Sequence, residues 1–333
     1  MTTVFFVTNR NLKGDLARAD FGREFHRDGP SALRFGWAEV SGPDLDHHEI
    51  HVSSERLRGR GQKLGSAEVF NLLRDKMERH SRDTAVFVHG YANTFKNALS
   101  HAALLKEKYD GIPFNMVLFS WPSDGQLIPV MSYYSDRDDA KSSGPAMART
   151  FLKLRDFLGD LSPEQYCEQR LHLMAHSMGN YAFRHGLQSI RSELGNDLPR
   201  IFDQVLLFAA DEDDNAFEHD HKLRLLPRVC RQVTVYHRPS DRALLISDKT
   251  KANPDRLGSD GPRLMDDLPR KIAVVDCRHV RSGKEDRNDH DAHRYSDDVI
   301  ADVNEVLKGV PADKVSHREF VPGSRAYRII PPD

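Results

Sequence analysis

Short apolar runs alternate with longer stretches of helical periodicity from one end of this chain to the other. Runs at Val4–Val7, Arg34–Val40, Glu49–Val52, Thr84–Val88, Asn115–Phe119, Leu171–Met174, Gln204–Phe208, Val233–Tyr236 and Lys271–Val275 read as strands. Helical patterns fall at Ala67–His80, Thr94–Tyr109, Ala146–Leu158, Asn180–Leu194, Lys222–Val229 and Val299–Leu307. That alternation predicts an α/β fold with a mostly parallel central sheet and helices on both faces. The first runs, with no helix between them, are expected to pair antiparallel. Residues 121–145 lack periodicity and read as an irregular excursion. Residues 244–269, punctuated by Asn253-Pro254, Gly258 and Gly261-Pro262, read as a lid-like excursion within one domain spanning 1–333. Residues 311–333 read as a surface-packed tail.

Composition narrows the function classes. Lys plus Arg (48) nearly balances Asp plus Glu (50), so no net field favours nucleic acid or an anionic membrane. The N-terminus lacks the basic region of a signal peptide, and no apolar stretch approaches a membrane span. Three widely spaced cysteines, Cys167, Cys230 and Cys277, fit reduced thiols, and the expected location is the cytoplasm.

The chemistry gathers around Leu171–Asn180. There Ala175-His176-Ser177-Met178-Gly179 joins a strand to a helix, with Ala in place of the first glycine of Gly-x-Ser-x-Gly. A serine on such a tight turn is held clear of local hydrogen bonds and exposed to a base. Small residues flank it because strand and helix backbones approach closely. Acyl transfer also needs an oxyanion hole. Its expected N–H donors are Met178, after the nucleophile, and Tyr91, in His89-Gly90-Tyr91 at the end of an upstream strand.

The order Ser, acid, His places the remaining members downstream. Asp241, two strands after the nucleophile, is the expected acid. Asp211 opens an acidic run, Asp211–Asp214, that reads instead as a solvated helix cap. His293, just before the Ser296-Asp297-Asp298 cap of the last helix, is the expected base, with His290 the alternative. Phe95, Trp121 and Leu244–Ile246 are candidate walls of an acyl pocket. Asp286, Asp289, His290, Asp291 and His293 lie close in sequence, as do Asp211–Asp214, His219 and His221, but none shows a recognised metal spacing. No metal or other cofactor is expected.

These blocks resemble a bacterial α/β-hydrolase family related to lipases and serine esterases, itself without an assigned substrate. The resemblance runs from Val7-Thr8-Asn9-Arg10 to the final helix. It is carried by His89-Gly90-Tyr91 with Thr94-Phe95, Phe119-Ser120-Trp121-Pro122-Ser123 with Gly125, His172–Asn180, Tyr236–Leu244 and His293-Arg294-Tyr295. It implies Ser177 as nucleophile, Asp241 as acid and His293 as base. Two positions depart from the pattern: Ala92 stands where Asn follows His-Gly-Tyr, and Ala292 and Arg294 flank the histidine in place of Gly and Ser. The expected function is hydrolysis of small carboxylic esters through an acyl-enzyme. A thioesterase, amidase or acyltransferase would use the same triad; a metal-dependent hydrolase and a non-catalytic binding scaffold are the remoter alternatives. The oligomeric state is not legible.

Overall fold

A computed structural model describes residues 1–53, 65–123, 131–159, 169–244 and 255–330. The chain opens with β1 (Thr2–Thr8), a hairpin of β2 (Arg10–Lys13) and β3 (Asp20–Phe25), then β4 (Arg34–Ser41) and β5 (His47–Ser53). Strand and helix then alternate through α1 (Gly65–His80), β6 (Asp83–Val88), α2 (Phe95–Lys108), β7 (Phe114–Ser120), α3 (Met131–Ser142) and α4 (Gly144–Gly159). The second half runs β8 (Leu171–His176), α5 (Met178–Leu194), β9 (Phe202–Phe208), α6 (Leu226–Val229) and β10 (Cys230–His237). It closes with α7 (Leu257–Asp260), β11 (Ile272–Asp276), α8 (Ala292–Tyr295), α9 (Asp297–Lys308), β12 (Arg318–Val321) and β13 (Ala326–Ile329).

Among the described residues the main sheet has eleven strands in the order β12-β13-β11-β10-β9-β8-β6-β7-β1-β4-β5. Strands β13 to β1 in that order run parallel; β4, β5 and β12 pair antiparallel at the two edges. Every residue of β6, β7, β8 and β11 is buried, as expected of strands covered on both faces. Alternate side chains separate into two cores. Val86, Val88, Leu173 and Ala175 pack with Val69, Phe151 and Phe183 from α1, α4 and α5. Ala85, Phe87, Met116 and Met174 pack on the other face with Leu99 of α2 and Val303 of α9. No helix among the described residues is long and apolar enough to cross a membrane.

Topology decides where a ligand can bind. From β6 the chain passes through α2 to β7 on one side, whereas β8 lies on the other side of β6 and leads outward through β9, β10 and β11. Loops leaving β6 and β8 therefore diverge, opening a crevice at their carboxyl ends.

Three expectations change. Residues 131–142, read as irregular, form α3. Apart from Ala140 and the partly buried Tyr133, its inward face is polar, including the fully buried Asp136, so no apolar stripe marks it in sequence. The helix expected over 222–229 shrinks to α6, because Pro227 is tolerated only in a first turn. The tail does not merely pack on the surface. Residues 318–329 form a hairpin that extends the sheet, with Ala326 and Ile329 of β13 buried beside β11. Residues 245–254 of the expected excursion, Gly125, Cys167 and residues 331–333 lie outside the described residues. From residue 255 the excursion packs inward: Arg256 is fully buried and Gly258 lies against the backbone of Ala210.

Candidate active site

Ser177 stands between β8 and α5 with φ 52° and ψ −127°, a left-handed conformation that costs a non-glycine residue about 1–3 kcal/mol. Its surroundings hold it there. The Ser177 N–H donates to Phe208 O at 3.0 Å, and its carbonyl accepts from the N–H groups of Asn180 (3.0 Å) and Asp211 (3.2 Å). The fully buried Asn180 adds Nδ2 contacts to the carbonyls of Ala175, Ser177 and Phe208 at 3.2, 3.0 and 3.3 Å. Gly179 is needed for close approach: a Cβ there would lie 2.4 Å from Val88 O and 2.6 Å from His89 O. The methyl group of Ala175 is simply part of the core. Gly179→Ala is expected to destabilise the fold by about 1–3 kcal/mol, read as a lower urea midpoint, because β6 backbone rather than a flexible side chain must move.

The loop after β6 reaches the same point. A Cβ on Gly90 would sit 2.8 Å from Ser177 Cβ, so only glycine lets this loop close over the serine. Beneath it, His89 stacks on Trp121 (centroids 5.0 Å apart), whose Nε1 donates to His89 O at 2.8 Å. His89 Nδ1 donates to Gly90 O at 2.9 Å, leaving Nε2 to accept from Arg10 at 3.4 Å. Burial and the Arg10 guanidinium hold the His89 pKa well below the usual histidine range. Arg10 is itself buried and also donates to Ser120 Oγ (2.9 Å) and to the carbonyls of Asn93 (2.8 Å), Gly22 (3.1 Å) and Ser123 (3.2 Å). Asn93 Nδ2 holds the Gly90 and Tyr91 carbonyls at 3.1 and 2.9 Å. An asparagine thus braces the loop from position 93 although Ala92 follows Tyr91. Met178 opens α5, where first-turn N–H groups have no intrahelical acceptor.

Asp241, beyond β10, is fully buried. Its Oδ1 accepts from the Leu244 N–H at 3.0 Å, and its Oδ2 from His290 Nδ1 at 2.7 Å. Asp286 holds the histidine loop by accepting from the N–H groups of His290 (2.8 Å) and Asp291 (3.0 Å), and Arg238 pairs with Asp289 at 3.1 Å. Burial alone would lower the His290 pKa, but the Asp241 carboxylate overrides it and raises it to about 9. Among the described residues no hydrogen bond joins Ser177 Oγ to His290, as is common where catalytic contacts tighten only with substrate.

His293, the base expected from sequence, is placed otherwise. It lies in α8, 2% exposed, with its ring stacked on Phe208 at 4.9 Å and 4.3 Å from that of His176. Its carbonyl accepts from Tyr109 OH at 2.7 Å, and its Nε2 has no hydrogen-bond partner. Burial and the Arg294 guanidinium hold its pKa well below the usual value. The Asp241 partner is therefore His290, because α8 turns His293 down onto the sheet while Asp286 presents the preceding loop residue.

The described residues expected to wall an acyl pocket are buried. Phe95 is fully buried on the α2 face against Phe6 (5.1 Å) and Phe21 (4.6 Å). Trp121 is fully buried under His89, and Leu244 is buried with its N–H on the acid. Nor is the acidic run a solvated cap: Asp211, Glu212 and Asp214 are buried. Asp211 accepts from Tyr133 OH at 2.6 Å and pairs with Arg137 and Arg256, both at 3.7 Å; Glu212 pairs with Arg184 at 2.8 Å. The arginines lie far off in sequence, so nothing local marked these acids as buried.

For a metal, the described residues offer one group, His176, Asp291 and His293, whose ligand-type atoms all lie within 4.8 Å of one another. Arg294 Nη2 donates to the same Asp291 carboxylate and sets a fixed positive charge against any cation there. Burial pushes the Cys230 thiol up to about 12 and raises that of Cys277, so neither is a thiolate nucleophile near neutrality.

The arrangement joins a strained serine, a glycine loop closed over it and a carboxylate–imidazole pair, all at the carboxyl edge of a parallel sheet. No curated protein matches the chain. Residues 66–305 match the family described as alpha/beta hydrolase of unknown function (DUF900), and the chain belongs to that family.

Proposed function

We propose that this chain hydrolyses small carboxylic esters by a serine mechanism. The observation that carries the reading is the strained Ser177 turn, met by the Gly90 loop at the carboxyl ends of β6 and β8. Ser177 Oγ attacks the ester carbonyl as His290 takes its proton. Asp241 holds the imidazole in the Nδ1–H tautomer and stabilises the cation that forms. The N–H groups of Met178 and Tyr91 receive the oxyanion. His290 then protonates the leaving alcohol, and a water molecule attacks the acyl-enzyme by the same path to free the acid. No cofactor enters these steps.

A fluorophosphonate probe tests this directly, since it phosphonylates only an activated serine. Labelling is expected at Ser177 by peptide mass spectrometry, with p-nitrophenyl ester turnover blocked in proportion. No labelling, or labelling without loss of turnover, would sink the serine reading. Turnover abolished by a chelator would revive a metal-dependent one. With matched ester, thioester and anilide substrates, the ester is expected to react fastest.

A further inference from the structure

The histidine immediately before the nucleophile touches the His290 loop and faces the Gly90 loop. His176 Nε2 lies 3.3 Å from the backbone carbonyl of His290 and 3.4 Å from Asp291 Oδ1. Both partners are acceptors, so Nε2 carries the hydrogen and donates to them. On the opposite side of the ring, Nδ1 faces Gly90 closely enough that a Cβ there would lie 3.3 Å from it. The ring packs at 4.7 Å from that of His290 and 4.3 Å from that of His293, which in turn stacks on Phe208. His176 is 7% exposed.

We propose that His176 is a positioning residue that locks the nucleophile turn, the oxyanion loop and the base loop in register through its Nε2–H bond to the His290 carbonyl. This rests on reading Ser177, Asp241 and His290 as the reacting groups. No other residue on the turn can do this. Ser177 is committed to attack, and Met178 begins a helix leading away. The base loop is also held by Asp286, by Arg238 and by the Arg242 N–H bond to Asn288 O, none of which lies on β8. The His176 bond is the contact that measures the loop against β8 itself. Burial, with the His293 and His290 rings beside it, holds the His176 pKa well below the usual histidine range.

The test separates the donated hydrogen bond from the packing of the ring. His176→Phe keeps an aromatic ring against His290 and His293 but donates nothing. His176→Gln restores an N–H at similar reach. In His176→Phe, kcat for a p-nitrophenyl ester is expected to fall about 100-fold with KM within about threefold, the signature of misplaced reacting groups rather than lost binding. His176→Gln is expected to recover about tenfold of that loss. Wild-type kcat in His176→Phe, or equal kcat in the Phe and Gln variants, overturns the proposal. Ser177→Ala serves as the separate control. Full turnover in that variant would remove the underlying serine reading, whereas its loss beside an unaffected His176→Phe would remove only the positioning role.

Discussion

Ser177→Ala is expected to abolish ester turnover, lowering kcat by about a million-fold, while leaving the fold as stable as before. The two halves of that expectation have separate physical grounds. The backbone at residue 177 is held by main-chain bonds to Phe208, Asn180 and Asp211 and by the Asn180 amide, none of which uses the hydroxyl. Alanine keeps the same Cβ against Gly90 and meets the same strain at positive φ. Thermal unfolding should therefore be unchanged within about 1 °C, a shift corresponding to about 0.7 kcal/mol for a chain of this length. What is lost is the attacking oxygen. The residual rate should stay about 10³–10⁴-fold above the uncatalysed reaction, since the oxyanion donors and the crevice remain. Unchanged turnover in a folded variant would rule out the serine mechanism.

His290→Ala should be nearly as damaging, whereas His293→Phe should not. Removing His290 takes away the proposed proton acceptor and leaves Asp241 buried without its imidazole partner, so kcat is expected to fall by about 10⁵-fold or more. The Phe replacement at 293 retains the stack on Phe208, removes both ring nitrogens, of which Nε2 has no hydrogen-bond partner, and leaves the carbonyl bond from Tyr109 intact. Its kcat should stay within about tenfold of wild type. The reverse ranking would return the base to His293. The pH profile supplies an independent check. The base must be unprotonated to act, and Asp241 raises its pKa to about 9. In wild type, kcat/KM should therefore climb as pH rises toward about 9 and level off above it. In stability the sign is opposite. The His290–Asp241 pair contributes fully below the unfolded histidine pKa of about 6.5 and is lost as pH rises through about 9.

Much of this architecture could be read from the chain because it rests on local rules. Parallel strands buried on both faces must be short and apolar throughout, so β6, β7, β8 and β11 stand out against helices of a different period. Elements stabilised by polar burial could not be read. Helix α3 carries few apolar residues, yet its Asp136 binds Ser123 and the Ala92 N–H, and its Tyr133 reaches Asp211. The carboxylates of Asp211, Glu212 and Asp213 look solvated in sequence because Arg137, Arg184 and Arg256 come from distant segments. Large aromatic and aliphatic residues near the motifs, Phe95, Trp121 and Leu244, invite a substrate role, and the structure shows all three buried.

The turn at Ser177 was determined by sequence alone. An apolar strand, a small residue, Ser, and a Gly179 at a place where any Cβ would lie 2.4 Å from Val88 O leave the local chain few other conformations. Which histidine meets Asp241 was decided by the tertiary structure. His290 and His293 lie three residues apart in one polar loop, equal in spacing and chemistry. They differ only because Asp286 caps the loop at His290 and Asn288 O binds the Arg242 N–H, bringing His290 against Asp241 across 49 residues of chain. The first turn of α8 then carries the other ring away onto Phe208.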